Sequence, residues 1–361
     1  MHQINPVEYD HQLHLKISNL KKVFSDISLP AFEVYKSEPL NFRMRAEFRI
    51  WHEDGEVFYA MNNPDKKTPY IINEFPIGSK KINELMAPLL LEINKNYILK
   101  NKLFSAEFLT TLTDDVVVTL IYHKPVDGDW EKEANNLHTK FMINIIGRSR
   151  KKKLIIGHDY VVEKLPIDGI DYYYKQIENG FTQPNARINQ AMLGWTLRQT
   201  QKCGGDLLEL YCGNGNFTCV LSKNFKKVLA TEVSKASVKA AYFNLEKNNI
   251  RNVEICRMSS EEITSALNKV RKFRRLKNID LNSYKLNTIF VDPPRAGLDE
   301  KTLNLLKKFK NILYISCNPK TLQKNIQEIS ATHSIKNFAV FDQFPYTDHL
   351  ECGVFLKLKN L

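Results

Sequence analysis

Leu207-Leu208-Glu209-Leu210-Tyr211-Cys212-Gly213-Asn214-Gly215-Asn216-Phe217 reads as a buried strand that runs into a tight turn and then a helix. Glycine at 213 and 215 lets the backbone turn sharply at the strand's carboxyl end and leaves room for a ligand to approach the main chain. A GxG turn decides little alone, because many strand-to-helix junctions use one. Its surroundings decide more. Upstream, "FTQPNARINQAMLGWTLRQT" is a helix entered through Gln183-Pro184-Asn185. Downstream, "KVLATEV", "VEICRM", "NTIFVD", "ILYISC", "NFAVFDQ" and "CGVFLKL" are apolar strands, most of them separated by helical stretches. Such alternation builds βαβ units and a parallel, helix-covered sheet.

The final two strands are joined only by the loop "FPYTDHLE", which predicts a hairpin. A mostly parallel sheet with an antiparallel last strand is the Rossmann-like class I methyltransferase form of the α/β fold, expected here over residues 179–361. Residues 1–178 have another texture. A helix is predicted from Tyr9 to Phe24, followed by the period-two segments "MRAEFRIWH", "EVFYAMNN", "FSAEFLTTL" and "VVVTLIYH", with turns at Asp54-Gly55 and Asp127-Gly128. "KKINELMAPLLLEINKN" and "DWEKEANNLHTKF" read as helices. The expectation is an N-terminal α+β domain with an antiparallel sheet.

Composition bounds the class. The chain has 361 residues, 43% hydrophobic and 25% charged, as in a globular protein with a proper core. No apolar run is long enough to span a membrane, and Met1-His2-Gln3-Ile4-Asn5 is no signal peptide, so the cytoplasm is expected. The formal net charge of +12 suits a polyanionic partner such as nucleic acid. Two basic runs, Arg148–Lys153 and Lys269–Lys277, are either contact surfaces or idle solvated faces. The six cysteines, at 203, 212, 219, 256, 317 and 352, show no CxxC pair and no metal-like spacing, so neither metal nor iron–sulfur cluster is expected.

The strand ends carry the chemistry. Glu232 closes "VLATEV", near the spacing of roughly twenty residues at which an acid meets ribose hydroxyls. With neither GxGxxG nor a P-loop lysine, a nucleoside cofactor without polyphosphate fits, and S-adenosylmethionine is the common one. "NTIFVD" ends in Asp292-Pro293-Pro294-Arg295, where two prolines stiffen the turn and present the carboxylate at the sheet edge. Amino-methylating enzymes use a similar motif with an aromatic where Arg295 stands, so methylation of nitrogen is the alternative. Cys317 lies at the lip of the neighbouring strand, just before Asn318-Pro319. A lone cysteine is more often a buried apolar residue than a nucleophile. Here, however, it shares a crevice with Asp292 and Gly213, and a thiolate adding to C6 of a pyrimidine would make C5 nucleophilic. A base must then take the C5 proton, and Glu351 and His349 stand in the last loop as candidates.

"FTQPN", "LLELYCGNGNF", "IFVDPPRAGLD", "LYISCNPKTL" and "FDQFPYTDHLECGV" resemble the motifs of the RNA uracil-5-methyltransferase family, and "FRMRAEFRIWH" with "FLTTL" resembles its transfer-RNA branch. The resemblance spans nearly the whole chain. It implies Cys317 as nucleophile, Glu351 as proton acceptor, and Gln183, Tyr211, Asn216, Glu232 and Asp292, beside Gly213, as contacts of S-adenosylmethionine. It implies methylation of uridine 54 in the T-loop of tRNA, with T-loop-like RNA such as tmRNA as a further substrate and no obligate protein partner. The family's ribosomal-RNA members carry an N-terminal cysteine set that is missing here. Enzymes acting on cytosine C5 carry an extra cysteine where this chain has Asp292-Pro293-Pro294. Arg43, Arg45, Arg49, Phe104 and His123 are the candidate RNA contacts of the first half, holding the T-arm by phosphate contact and stacking.

Overall fold

A computed structural model describes residues 4–62 and 69–359. Met1–Gln3 and Asn63, the last residue of the "EVFYAMNN" segment, lie outside the described residues. The chain divides into two compact units, and neither is a simple half. The first comprises Met1–Ser37, Leu165–Tyr174 and Arg187–Leu361; the second comprises Glu38–Lys164 and Lys175–Ala186. The boundary expected near residue 178 therefore misplaces the amino-terminal helix, which packs within the first unit. Among the described residues, no helix is long and apolar enough to cross a membrane.

In the first unit the strands are β1 (Glu33–Tyr35), β2 (Asp206–Leu210), β3 (Val228–Thr231), β4 (Val253–Cys256), β5 (Leu286–Val291), β6 (Asn311–Ser316), β7 (His333–Phe341) and β8 (Glu351–Leu358). They form one sheet in the order β1-β7-β8-β6-β5-β2-β3-β4. β6, β5, β2, β3 and β4 run parallel, each to the next. β8 lies antiparallel between β6 and β7, as the short closing loop predicts. β2 and β6 are buried along their full length, the pattern of strands covered on both faces. The helices that supply the crossovers and cover are α1 (Tyr9–Val23), α2 (Ala186–Thr200), α3 (Asn216–Leu221), α4 (Lys235–Lys247), α5 (Ser260–Leu267), α6 (Glu300–Leu306) and α7 (Pro319–Ile329). Trp195 of α2 packs so closely on β8 that a Cβ at Gly353 would come within 2.7 Å of its ring.

The second unit holds a seven-stranded sheet in the order 69–71, 56–62, 45–53, 103–110, 116–122, 144–149, 152–156. It is antiparallel except at one pair, Val116–Tyr122 with Asn144–Ser149, which run parallel. That departs from the expected all-antiparallel sheet, and the reason is the intervening helix Gly128–Phe141, long enough to return the chain to the same end. Trp130 of that helix is fully buried, and Gly147 makes space for it: a Cβ there would meet the indole at 2.5 Å.

The first basic run is split by this sheet. Arg148 holds the buried Glu178 through both carboxylate oxygens, and Lys153 reaches Glu178 at 3.2 Å and Asp159 at 2.8 Å. Burial would raise the Glu178 carboxyl, but Arg148 and Lys153 outweigh it and hold the group below its ordinary value. Arg150, Lys151 and Lys152 sit exposed at the hairpin tip. Arg148→Met should therefore destabilise the protein by about 1–3 kcal/mol, the range for losing hydrogen bonds to a charged group, while Arg150→Met changes it by less than about 0.5 kcal/mol. Urea unfolding of the two variants checks this; equal effects would contradict the split.

Candidate active site

The site is assembled by strand register. Leu210 of β2 pairs with Thr231 of β3 and with Val291 of β5. One step further, Tyr211, Glu232 and Asp292 stand level at the carboxyl edge of the sheet, where α/β folds bind their ligands. β6 and β8 are antiparallel, with Ser316 opposite Cys352. Continuing that register by one residue sets Cys317 opposite Glu351. The thiol and the Glu351 carboxyl are thus close enough for each to be felt electrostatically by the other.

The turn after β2 is built for close approach. Tyr211, Gly213 and Gly215 all have positive φ, at 61°, 57° and 81°. Nothing lies within 4 Å of where a Cβ at Gly213 would be, so the floor there is open. Glu232 accepts the Gly213 amide at 3.1 Å and the Ser234 amide at 2.7 Å, which fixes the carboxylate while leaving lone pairs for a ligand. The Tyr211 hydroxyl donates to Ser260 Oγ at 2.8 Å. Asn216 and Asn189 join side chain to side chain, at 3.0 and 2.8 Å. An acid level with an open glycine turn fits a ribose-bearing nucleoside such as S-adenosylmethionine, and Tyr211, Gly213, Asn216, Glu232 and Asp292 are the residues of the first unit that would hold it. Gln183 belongs to the second unit, on the segment whose Pro184 carbonyl accepts the Met44 amide at 2.8 Å. Asn189 and Ser260, absent from the sequence expectations, orient Asn216 and Tyr211 from 27 and 49 residues away, and no local signal marks them.

Cys317 is placed by the Asn318-Pro319 pair next to it. Asn318 caps α7 through Lys320 and Pro319 begins the helix, so β6 stops and the thiol is left at the lip. The Asn318 side-chain amide also donates to the Arg295 carbonyl at 3.1 Å, tying the lips of β5 and β6 together. Cys317 is half-buried and opens on a cavity of about 960 Å³ lined also by Gln12, Leu15, Asn19, Arg295 and His349. Glu351 is the first residue of β8, not a loop residue, and is only 4% exposed.

Burial dominates the electrostatics. It pushes the Asp292 carboxyl up to about 7. Burial and the neighbouring Asp292 push Glu351 up to about 8. Burial, then Glu351 and Asp292, push the Cys317 thiol up to about 11, with Arg295 pulling the other way. Glu209, buried beside Asp292, is raised to about 8. In the protein alone Glu351, Glu209 and Cys317 thus favour their protonated forms at neutrality. His349 is exposed, its ring lies 3.0 Å from the Arg295 guanidinium, and burial and that cation lower its affinity for a proton. With its Nδ1 lone pair facing Arg295, it is the poorer base.

In the second unit, Arg49, Phe104 and His123 line one surface pocket of about 420 Å³. The Phe104 and His123 rings stack 4.4 Å apart at 20°, and Phe104 is 40% exposed. Arg43 and Arg45 are different. Arg45 donates to the carbonyls of Glu178, Gly180 and Ile177, and Arg43 donates to the Arg45 carbonyl. Their guanidinium groups brace the fold from within.

Residues 8–359 match the family described as tRNA (Uracil-5-)-methyltransferase. The chain is 55% identical over 359 residues to a tRNA/tmRNA (uracil-C(5))-methyltransferase of Saccharophagus degradans, covering 99% of this chain and 98% of that protein. It is 54% identical over 356 residues to one of the same name from Acinetobacter baylyi, covering 97% and 99%. In fold it is similar to the Pyrococcus abyssi tRNA (uracil-54, C5)-methyltransferase solved with S-adenosyl-L-homocysteine, with a TM-score of 0.72, 23% identity, and coverage of 96% of this chain and 83% of that one. With this sheet order, this carboxyl-edge cluster and relatives matched end to end, the chain belongs to the tRNA (uracil-5-)-methyltransferase family.

Proposed function

We propose that the protein transfers a methyl group from S-adenosylmethionine to C5 of uridine 54 in the T-loop of tRNA, and of T-loop-like RNA such as tmRNA, through a covalent adduct on Cys317. The observation that supports the covalent step is that β6 and β8 pair antiparallel up to Ser316 and Cys352, with Cys317 and Glu351 next at the same sheet edge and Asp292 near both.

The Cys317 thiol releases its proton to solvent, and the thiolate sulfur bonds to C6 of the flipped uracil. The ring becomes an enolate whose C5 carries the negative charge. S-adenosylmethionine supplies the methyl group. Once C5 carries both methyl and hydrogen, the Glu351 carboxylate takes the C5 proton, the C5–C6 double bond returns, and the C6–S bond breaks with its electron pair leaving on sulfur as the Cys317 thiolate. The burial that makes Glu351 reluctant to ionise also makes its carboxylate a stronger base than an exposed one. Arg49 and the stacked Phe104–His123 pair are the proposed RNA contacts, an exposed aromatic face and a cation for an unstacked base and its phosphate.

Cys317→Ala should abolish methylation of a tRNA transcript while leaving tRNA affinity within about threefold of the parent, since one small side chain contributes little to a phosphate-dominated interface. Appreciable methylation by that variant would exclude the thiol mechanism. Glu351→Gln should let addition and methyl transfer proceed and stall release, so that a methyl-labelled protein–RNA complex accumulates on a denaturing gel. Free turnover by Glu351→Gln, with trapping by His349→Gln instead, would reassign the base. The sign of the pH dependence is also fixed. The Cys317 thiol is raised and must ionise before methyl transfer, so kcat/KM of the parent should rise from pH 6.5 to about 8.5. A flat or falling profile would contradict the assignment.

A further inference from the structure

The cavity onto which Cys317 opens has one wall that the reaction as described does not use, helix α1. The face of α1 carrying Gln12, Leu15, Lys16 and Asn19 lines the space onto which Cys317 opens. Leu15 is exposed, but Lys16, on the same wall, is only 6% exposed. A buried ammonium has three N–H donors and no acceptor, and each must find an oxygen. All three do. Lys16 Nζ donates to Asp342 Oδ1 at 2.7 Å, to the Phe344 carbonyl at 2.8 Å and to the His349 carbonyl at 3.1 Å. These oxygens lie at both ends of the loop between β7 and β8, and the last is two residues before Glu351.

The other side of Asp342 is closed as well. Tyr9, at the start of α1, donates its hydroxyl to Asp342 Oδ2 at 2.9 Å and accepts the Ser37 amide at 2.8 Å. The Asp342 amide in turn donates to the Tyr35 carbonyl at 3.0 Å. The loop therefore has a point of attachment at Asp342 and a second, across Lys16, at His349. Burial opposes the charge on Lys16 while Asp342 supports it, so the ammonium is tied to this one geometry.

We infer that Lys16 is a positioning residue for the proton-transfer step: by bridging Asp342, Phe344 and His349 it sets the entry of the chain into β8 and so holds Glu351 opposite Cys317. The inference rests on the proposed role of Glu351. A lysine suits the task where arginine would not, because its three donors diverge from one atom toward oxygens of three different residues, whereas a guanidinium is a planar fork.

Two variants separate positioning from plain stability. Lys16→Met removes the ammonium at similar length and leaves the buried Asp342 without its cation; Lys16→Met with Asp342→Asn removes both charges. Full-length proteins are compared for thermal midpoint, steady-state methylation of a tRNA transcript, and methyl-labelled complex on a denaturing gel. The double variant should regain most of the midpoint lost by the single one. Both should nonetheless turn over about tenfold or more slowly, as expected when a catalytic group is displaced by a fraction of an ångström. KM for tRNA should stay within about twofold, and trapped complex should accumulate, because release is impaired more than addition. Turnover that returns together with the midpoint, or a raised KM with kcat intact, would overturn the inference. A Glu351→Gln control on the same gel distinguishes the two failures. If it traps while the Lys16 variants neither slow nor trap, Lys16 alone loses its role. If it turns over freely, the base assignment falls and this inference with it.

Discussion

The antiparallel pairing of β6 with β8 is the constraint on which the rest of the site depends. In a parallel sheet every strand delivers its carboxyl end to the same edge, so no strand can begin there. Inserting one reversed strand changes this. β8 starts at the edge where β6 stops, and the register Ser316 to Cys352 leaves Cys317 and Glu351 facing each other. Because successive side chains alternate faces, a slip of one residue would separate them completely. The neighbouring parallel pairs set Tyr211, Glu232 and Asp292 at the same level, so the residues proposed for the methyl donor and the proposed nucleophile are positioned by one hydrogen-bond lattice.

Concentrating acids at that edge has an electrostatic consequence. Asp292 and Glu351 sit together with little solvent, and each favours its neutral form. Folding raises Glu351 from its ordinary 4.5 to about 8. Between those values the folded chain keeps a proton the unfolded chain has released, so this cluster opposes folding increasingly as pH rises through the window. Carboxyl groups so placed stabilise nothing by themselves, and strained or buried ionisable groups of this kind gather where chemistry is done. The surrounding structure offsets them: fully buried β2 and β6 strands, the Trp195 contact on Gly353, and the Lys16–Asp342 anchor behind the loop.

How far the sequence revealed all this depended on whether the signal was local. The alternation of apolar strands and helices, the short last loop, the GxG turn and the Cys-Asn-Pro stop are local, and each led to the right element. The helix at Tyr9 was legible too, but not its place, since periodicity shows which face is apolar and not which sheet it meets. Lys16 is the clearest case. In sequence it is one more lysine on an amphipathic helix, and its partner Asp342 is 326 residues away. The same limit explains Arg43 and Arg45, whose charge suggested RNA and whose actual partners are backbone carbonyls, those of Arg45 lying near residue 178. It also explains Glu351, whose ionisation cannot be judged without knowing that Asp292 is beside it. The parallel pair in the second unit has no local signal either, since the helix Gly128–Phe141 is visible in sequence but the end of the sheet to which it returns the chain is not.

The central claim is that Cys317 forms a bond to the base during the reaction. The most direct test uses tRNA carrying 5-fluorouridine together with S-adenosylmethionine. Fluorine at C5 leaves no proton for Glu351 to remove, so elimination is blocked and the adduct persists. Peptide mass spectrometry of the denatured complex should place a methylated fluorouridine on Cys317. An active protein that yields no such adduct, or one that carries it on a different residue, would contradict the account.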